Sequence, residues 1–159
     1  MAKNEKYTYK WPRPMVTVDA AVFAFINNKT RILLIKRGKE PFKGKWALPG
    51  GFIGIDEELQ DAVSRELFEE TGLENIKLQQ LHTFGKCGRD PRGRQITIVF
   101  WGVAAKGFKK IKAGDDASSA KWFDLEKLPQ DLAFDHEEVI DFAEKKLKLH
   151  CRKNFNRDF

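Results

Sequence analysis

Three carboxylates crowd the last turns of a helix, beside or within the face that should be apolar. Between Asp56 and Gly72 the chain reads Asp-Glu-Glu-Leu-Gln-Asp-Ala-Val-Ser-Arg-Glu-Leu-Phe-Glu-Glu-Thr-Gly. Asp56 suits an N-cap, and Gly72 suits the position just past a C-terminus, where a left-handed backbone costs glycine least. The predicted helix therefore runs to about Thr71. At about 100° per residue, Leu59, Ala62, Val63 and Leu67 share the face that should pack on a sheet. Glu66 and Glu70 project from that same stripe, and Glu69 borders it. Like charges at i,i+4 repel by ~0.2–0.5 kcal/mol, and anions at a helix C-terminus oppose its dipole by ~0.3–1 kcal/mol. Burial adds several kcal/mol for each unpaired carboxylate. Arg65 alone cannot neutralise three glutamates, so a further cation is required, and clustered hard oxygens suit Mg²⁺.

The rest of the composition is that of an ordinary folded domain. The chain has 159 residues, 42% hydrophobic and 12% aromatic, with Gly 12 and Pro 6, which excludes disordered and fibrous classes. Apolar runs such as Ile96–Phe100 end well short of the ~20 residues a bilayer requires. Met1–Trp11 lacks the apolar stretch of a signal peptide, so the chain reads as soluble and cytoplasmic. Cys87 and Cys151 have no metal-ligand spacing, and free thiols in a reducing compartment are the expectation. A formal charge of +6 favours anionic partners without choosing among them. The cations Lys145, Lys146, Lys148, Arg152, Lys153 and Arg157 read as a solvated helix end rather than a nucleic-acid patch.

Punctuation along the chain predicts one domain over residues 15–148, preceded by an extension, 1–14, and followed by a basic tail, 149–159. Met15–Ile26 and Arg31–Lys36 flank Asn27-Asn28-Lys29, a hairpin signal. Strands are expected at about Lys77–Phe84, Gln95–Ala104 and Ala120–Phe123, and a second helix from about Asp135 to Leu147. Hairpins interleaved with two helices predict an α/β or α+β fold, a mixed β-sheet sandwiched between helices.

The run from Gly51 to Leu73 resembles, position for position, the signature of the Nudix hydrolases, G-x5-E-x7-R-E-U-x-E-E-x-G-U with U apolar. Gly51, Glu57, Arg65, Glu66, Glu69, Glu70 and Gly72 fill the fixed positions, and Leu67 and Leu73 the apolar ones. Chance agreement is about one in 10⁸ per window at average residue usage. Gly44–Gly50 and Ala120–Phe123 extend the likeness across most of the chain. The resemblance implies a Nudix fold and metal-dependent attack of water on a diphosphate joined to another moiety. It implies Mg²⁺ or Mn²⁺ on Glu66 and Glu70, with Glu69 contributing directly or through water and the Gly50 carbonyl adding a ligand. Arg65 would orient the glutamates, Glu57 foremost, by a two-pronged hydrogen bond. Gly51 would allow a sharp backbone turn toward the metal. Family members place the general base inside the helix or on a later loop, which leaves Glu66 and Asp116 as candidates.

The substrate must be read outside the signature. Gly88–Arg94 concentrates Arg89, Arg92 and Arg94 in a Gly/Pro-shaped loop suited to phosphate or ribose oxygens. That loop, Tyr9–Pro14 with Arg13, and Leu132–His136 resemble the ADP-ribose pyrophosphatase branch, although Pro91 lies slightly beyond the branch's usual proline position. The implied reaction gives AMP and ribose 5-phosphate. Phe134 or Trp11 is a candidate to stack on adenine, and His136 to touch phosphate or ribose; packing and capping are the alternatives. Two other readings stand beside this one, a sanitising hydrolase of nucleoside triphosphates and a non-catalytic sugar-nucleotide sensor. Sensors carry an added C-terminal winged helix, whereas about a dozen residues follow the predicted last helix here. The expected partner is a small nucleoside diphosphate derivative rather than a membrane or nucleic acid, and the branch is commonly homodimeric.

Overall fold

The computed structural model describes residues 8–105, 111 and 117–155. In chain order these form β1 (Met15–Ile26), β2 (Lys29–Arg37), β3 (Trp46–Ala47), β4 (Gly50–Phe52), α1 (Leu59–Thr71), β5 (Gln79–Phe84), β6 (Gln95–Val103), β7 (Ala117–Asp124) and α2 (His136–Phe155). The hairpin forms at the predicted asparagines. Asn27 and Asn28 adopt φ of 52° and 59°, the left-handed pair that matches the twist of adjoining strands, and Ile26 faces Lys29 across them.

β1 is the centre of the mixed sheet, whose order is β3-β2-β1-β6-β5, with β7 on β2 and β4 on β1. It pairs parallel with β6 from Met15↔Gln95 to Phe23↔Val103. Successive side chains of a strand point to opposite faces, so a strand covered on both sides must be apolar throughout. Val18, Ala20, Val22 and Ala24 pack with Ala62, Val63 and Leu67 of α1. Ala21 and Phe23 pack on the other face with Val139, Ile140, Ala143 and Leu147 of α2. The sheet is thus sandwiched between helices, as expected, and each fully buried aliphatic side chain contributes ~1.5–3 kcal/mol.

The sheet splits on one side. β1 and β2 pair only from Phe23↔Ile32 to Ile26↔Lys29, and beyond that each takes a new neighbour. β4 pairs with β1 at Thr17, Val18 and Asp19, while β3 pairs with β2 at Ile35 and Lys36. The resulting gap, floored by Leu48 and Gly50, is where the pocket described below opens.

Three details differ from the sequence expectation. The cap of α1 is Glu58 with no side-chain bond, not Asp56. The turn before it is held instead by Glu57, whose Oε2 accepts from the Gly54 N–H at 2.8 Å. α2 continues past Leu147 to Phe155, because Cys151 still packs on the core and Lys148 pairs with Glu144 at 2.7 Å. β7 is longer than expected, since seven of its residues find partners along β2. Gly72 behaves as predicted, with φ 71° and its N–H donating to the Phe68 carbonyl.

Gly102 shows how tightly the β6 edge of the core is closed, since a Cβ there would lie 2.7 Å from the Lys77 carbonyl oxygen. Backbone cannot give way as a side-chain tip can. Gly102→Ala is therefore expected to lower unfolding free energy by ~1–3 kcal/mol in urea denaturation; an unchanged midpoint would contradict this packing.

Candidate functional site

The short strand β4 brings the signature loop against the last turns of α1. Gly50 donates its N–H to Glu70 Oε2 at 2.9 Å. Gly51 has a different reason to be glycine from the one expected. It is extended, with no left-handed φ, and a Cβ on it would lie 2.5 Å from Glu66 Oε1. The missing side chain makes room for a carboxylate, not for a turn.

Arg65 sorts the acidic cluster. Its Nε and Nη2 donate to Glu57 Oε1 and Oε2 at 2.7 and 2.9 Å, the two-pronged pair expected from the sequence. Nη1 reaches Glu66 Oε1 at 2.8 Å and Glu69 Oε2 at 3.1 Å. The guanidinium bond, aided by the Gly54 N–H, drops the Glu57 carboxyl to about 2. Glu70 lies beyond this reach and forms no ion pair among the described residues. Burial pushes its carboxyl up to about 8, with Glu66 and Asp19 adding like-charge repulsion. Burial also raises Glu66 against the pull of Arg65. Glu66 Oε2 and Glu70 Oε1 carry no hydrogen bond among the described residues. No three His, Cys, Asp or Glu side chains there are already gathered about one point. The donor set nevertheless fits a hard dication: buried carboxylate oxygens with too little positive charge beside them.

These glutamates form one side of a pocket of about 350 Å³, with Asp19, Arg37, Lys39, Arg92, Phe134 and His136 among its other walls. Arg37 donates Nε to the Pro41 carbonyl at 2.8 Å, and its guanidinium lies 4.9 Å over the Phe134 ring. Arg92 grips Asp90 at 2.7 Å and lies 5.2 Å over Phe52 and 5.8 Å over Phe134. Phe134 itself holds a φ of 54°, uncommon for a bulky side chain. His136 Nδ1 accepts the Leu48 N–H at 2.9 Å, which leaves the proton on Nε2, 3.9 Å from Asp19 Oδ1. Burial lowers the affinity of this imidazole for a second proton, so it is a neutral donor.

Of the other predicted substrate contacts, Arg89 lines the pocket but is spent on Asp135, at 2.9 and 2.6 Å, tying the β5–β6 loop to the head of α2. Arg94 donates to the Gly85 carbonyl at 2.6 Å outside the pocket wall. Arg13 lies over the Tyr9 ring, and Trp11 is 71% exposed; neither lines the pocket. Asp116, the alternative base, falls outside the described residues. Sequence reasoning missed Asp19, Arg37 and Gln95. Asp19 had a readable signal, a lone charge inside an otherwise apolar central strand, held there by Thr97 Oγ1 donating at 2.5 Å.

Because Glu70 titrates at about 8 when folded and near the ordinary 4.5 when unfolded, its burial is tolerated fully below 4.5 and opposes folding increasingly as pH rises toward 8. Glu70→Gln should therefore raise the metal-free Tm at pH 8 and flatten its dependence between those limits. A lower Tm at pH 8, with the slope retained, would contradict this reading.

Comparison with known proteins agrees with this architecture. The NUDIX domain family model matches residues 15–142. An ADP-ribose pyrophosphatase of Methanocaldococcus jannaschii is 48% identical over 127 residues, 80% of this chain and 71% of that protein. The ADPR responsive transcriptional repressor NtrR of Acinetobacter baylyi is 36% identical over 96% of this chain, which spans 61% of the repressor. Among solved structures, the NUDIX domain of Shewanella oneidensis NrtR complexed with ADP ribose superposes with a TM-score of 0.80 and 34% identity, covering 89% of this chain and 94% of that one. With the signature, the split sheet and the glutamate-lined pocket in agreement, the chain belongs to the Nudix family.

Proposed function

We propose that this chain hydrolyses the diphosphate of ADP-ribose, giving AMP and ribose 5-phosphate, with Mg²⁺ or Mn²⁺ held on Glu66 and Glu70 and assisted by Glu69 and the Gly50 carbonyl. The observation that carries the proposal is the division of charge within one pocket. Carboxylates of α1 stand on one wall, and the guanidinium groups of Arg37 and Arg92 with Lys39 stand on others. Such a site accommodates both a dication and the phosphate oxygens it must neutralise. A bound dication supplies charge neutralisation and lowers the pKa of a bound water.

The chain's own residues do the rest. Arg65 fixes Glu57, Glu66 and Glu69 in one hydrogen-bonded unit, so the acidic wall is preorganised rather than assembled on binding. Glu66 stands in the pocket as a candidate to take the proton of the attacking water, its basicity raised by burial. Arg37 and Arg92 hold phosphate oxygens, and the neutral His136 lines the same pocket with its Nε2 3.9 Å from Asp19 Oδ1. The named activities of the Methanocaldococcus protein and the ADP-ribose bound by the Shewanella domain support this substrate over a nucleoside triphosphate.

The repressor likeness favours a second reading in which ADP-ribose is bound but left intact. Purified protein with Mg²⁺ separates the readings. AMP release from ADP-ribose should exceed pyrophosphate release from deoxynucleoside triphosphates at least about tenfold, and a chelator should abolish it. Glu66→Gln and Glu70→Gln should each lower kcat by at least about 100-fold, the scale of losing one electrostatic element of a preorganised site, while Arg92→Ala chiefly raises KM. Binding of ADP-ribose without turnover would support the sensor, and full activity in Glu70→Gln would contradict the metal site.

A further inference from the structure

Two arginines of the β5–β6 loop are bonded alike but exposed differently. Arg89 and Arg92 each donate Nε and Nη2 to one carboxylate, that of Asp135 and of Asp90 respectively. The Arg89 side chain is 3% exposed, whereas that of Arg92 is 35% exposed and lines the pocket. A guanidinium has two edges of paired donors, and a carboxylate on Nε and Nη2 leaves the Nη1–Nη2 edge for a second pair of oxygens. Nη1 of Arg92 donates to no atom among the described residues.

The partner of Arg92 is placed by the loop itself. The Asp90 side chain is 0% exposed. Its Oδ1 accepts the Arg92 backbone N–H at 2.8 Å and Nε at 3.0 Å, and Oδ2 accepts Nη2 at 2.7 Å. An aspartate bonded to the N–H two residues on, with Pro91 between, is a turn made by local chemistry. One carboxylate thus fixes both ends of the Arg92 side chain. Burial alone would raise the Asp90 carboxyl, but the Arg92 bonds outweigh it and hold it below its ordinary range, so it stays ionised. The turn is anchored in its own right, because Arg89 ties it to Asp135, the neighbour of Phe134. The Arg92 guanidinium lies 5.8 Å over the Phe134 ring, and that of Arg37 lies 4.9 Å over the same ring with Nε on the Pro41 carbonyl. The two cations repel each other, and an anion beside them relieves the repulsion.

We propose that Asp90 is a positioning residue that occupies one edge of Arg92 so that the other is held ready for the oxygens of a diphosphate. This rests on the hydrolase reading above, in which Arg92 binds phosphate. Asp90 also offsets the charge of Arg92, so any help it gives to binding comes through aim and not through attraction. A mere staple of the turn would leave affinity untouched.

The sign of one substitution separates these roles. Asp90→Asn makes the pocket more positive, so attraction alone predicts tighter binding of ADP-ribose, and positioning predicts weaker. KM for Mg²⁺-dependent hydrolysis, and Kd measured by calorimetry in chelator, should each rise at least about tenfold, the scale of one charge-assisted hydrogen bond, while kcat stays within about threefold. In an Arg92→Ala background the same substitution should change both by less than about twofold, because the two residues act as one unit. Arg92→Lys keeps the charge without a second edge and should weaken binding to within about threefold of Arg92→Ala. Unchanged or tighter binding by Asp90→Asn, an equal loss in the Arg92→Ala background, or full affinity in Arg92→Lys overturns the proposal; should Asp90→Asn fail to fold, the Arg92→Lys result decides it. If the unaltered protein binds ADP-ribose without cleaving it and the variants follow this pattern, the hydrolase reading fails and the positioning role stands.

Discussion

A single hydrogen bond, from the Gly50 N–H to Glu70, couples the sheet to the chemistry. It places a carboxylate under β4, away from water and beyond the reach of Arg65. The bond itself favours the ionised form, yet burial and the neighbouring Glu66 and Asp19 outweigh it. A carboxylate buried in this way is an unfavourable choice for folding alone. Protonation relieves it at low pH, and in its ionised form it calls for positive charge from outside the chain, which is the meaning proposed here for the acidic helix end.

The other features of the site serve this imbalance. Gly50 and Gly51 keep β4 bare, so that β1 can pair on one side while Glu66 lies against the backbone on the other. Arg65 spends its guanidinium on Glu57, Glu66 and Glu69 and on the Phe52 carbonyl at 3.2 Å. It organises the acidic wall without neutralising Glu70. Across the pocket, Arg37 and Arg92 are braced on Phe134, in a protein whose excess of cations over anions already favours phosphate-bearing ligands. The split between β1 and β2 makes space for both walls.

Local signals in the sequence were legible where local physics decides. Asn27-Asn28 fixed the register of a hairpin, Gly72 ended a helix, and the apolar spacing of Ala62, Val63 and Leu67 marked its buried face. The signature carried the acidic cluster and the Arg65–Glu57 pair. What escaped was non-local. The parallel pairing of β1 with β6 joins residues about 80 apart and sets Thr17 beside Gln95. The arginines of the β5–β6 loop looked alike in sequence, yet Arg89 is consumed by Asp135 and Arg94 by Gly85, while Arg37, from another strand, enters the pocket. The helix entry lies at Glu58 rather than Asp56, and the turn before it is held by the bonds of Glu57 to Gly54 and Arg65, which join residues up to eight apart.

The central claim is that the carboxylates of α1 are incomplete without a dication. Titration of the metal-free protein with Mn²⁺, followed by the electron paramagnetic resonance of the free ion, addresses it without reference to any substrate. The account predicts saturable binding that weakens at least about tenfold when Glu66 and Glu70 are both replaced by glutamine. Identical Mn²⁺ binding by the unaltered protein and the double variant would contradict it.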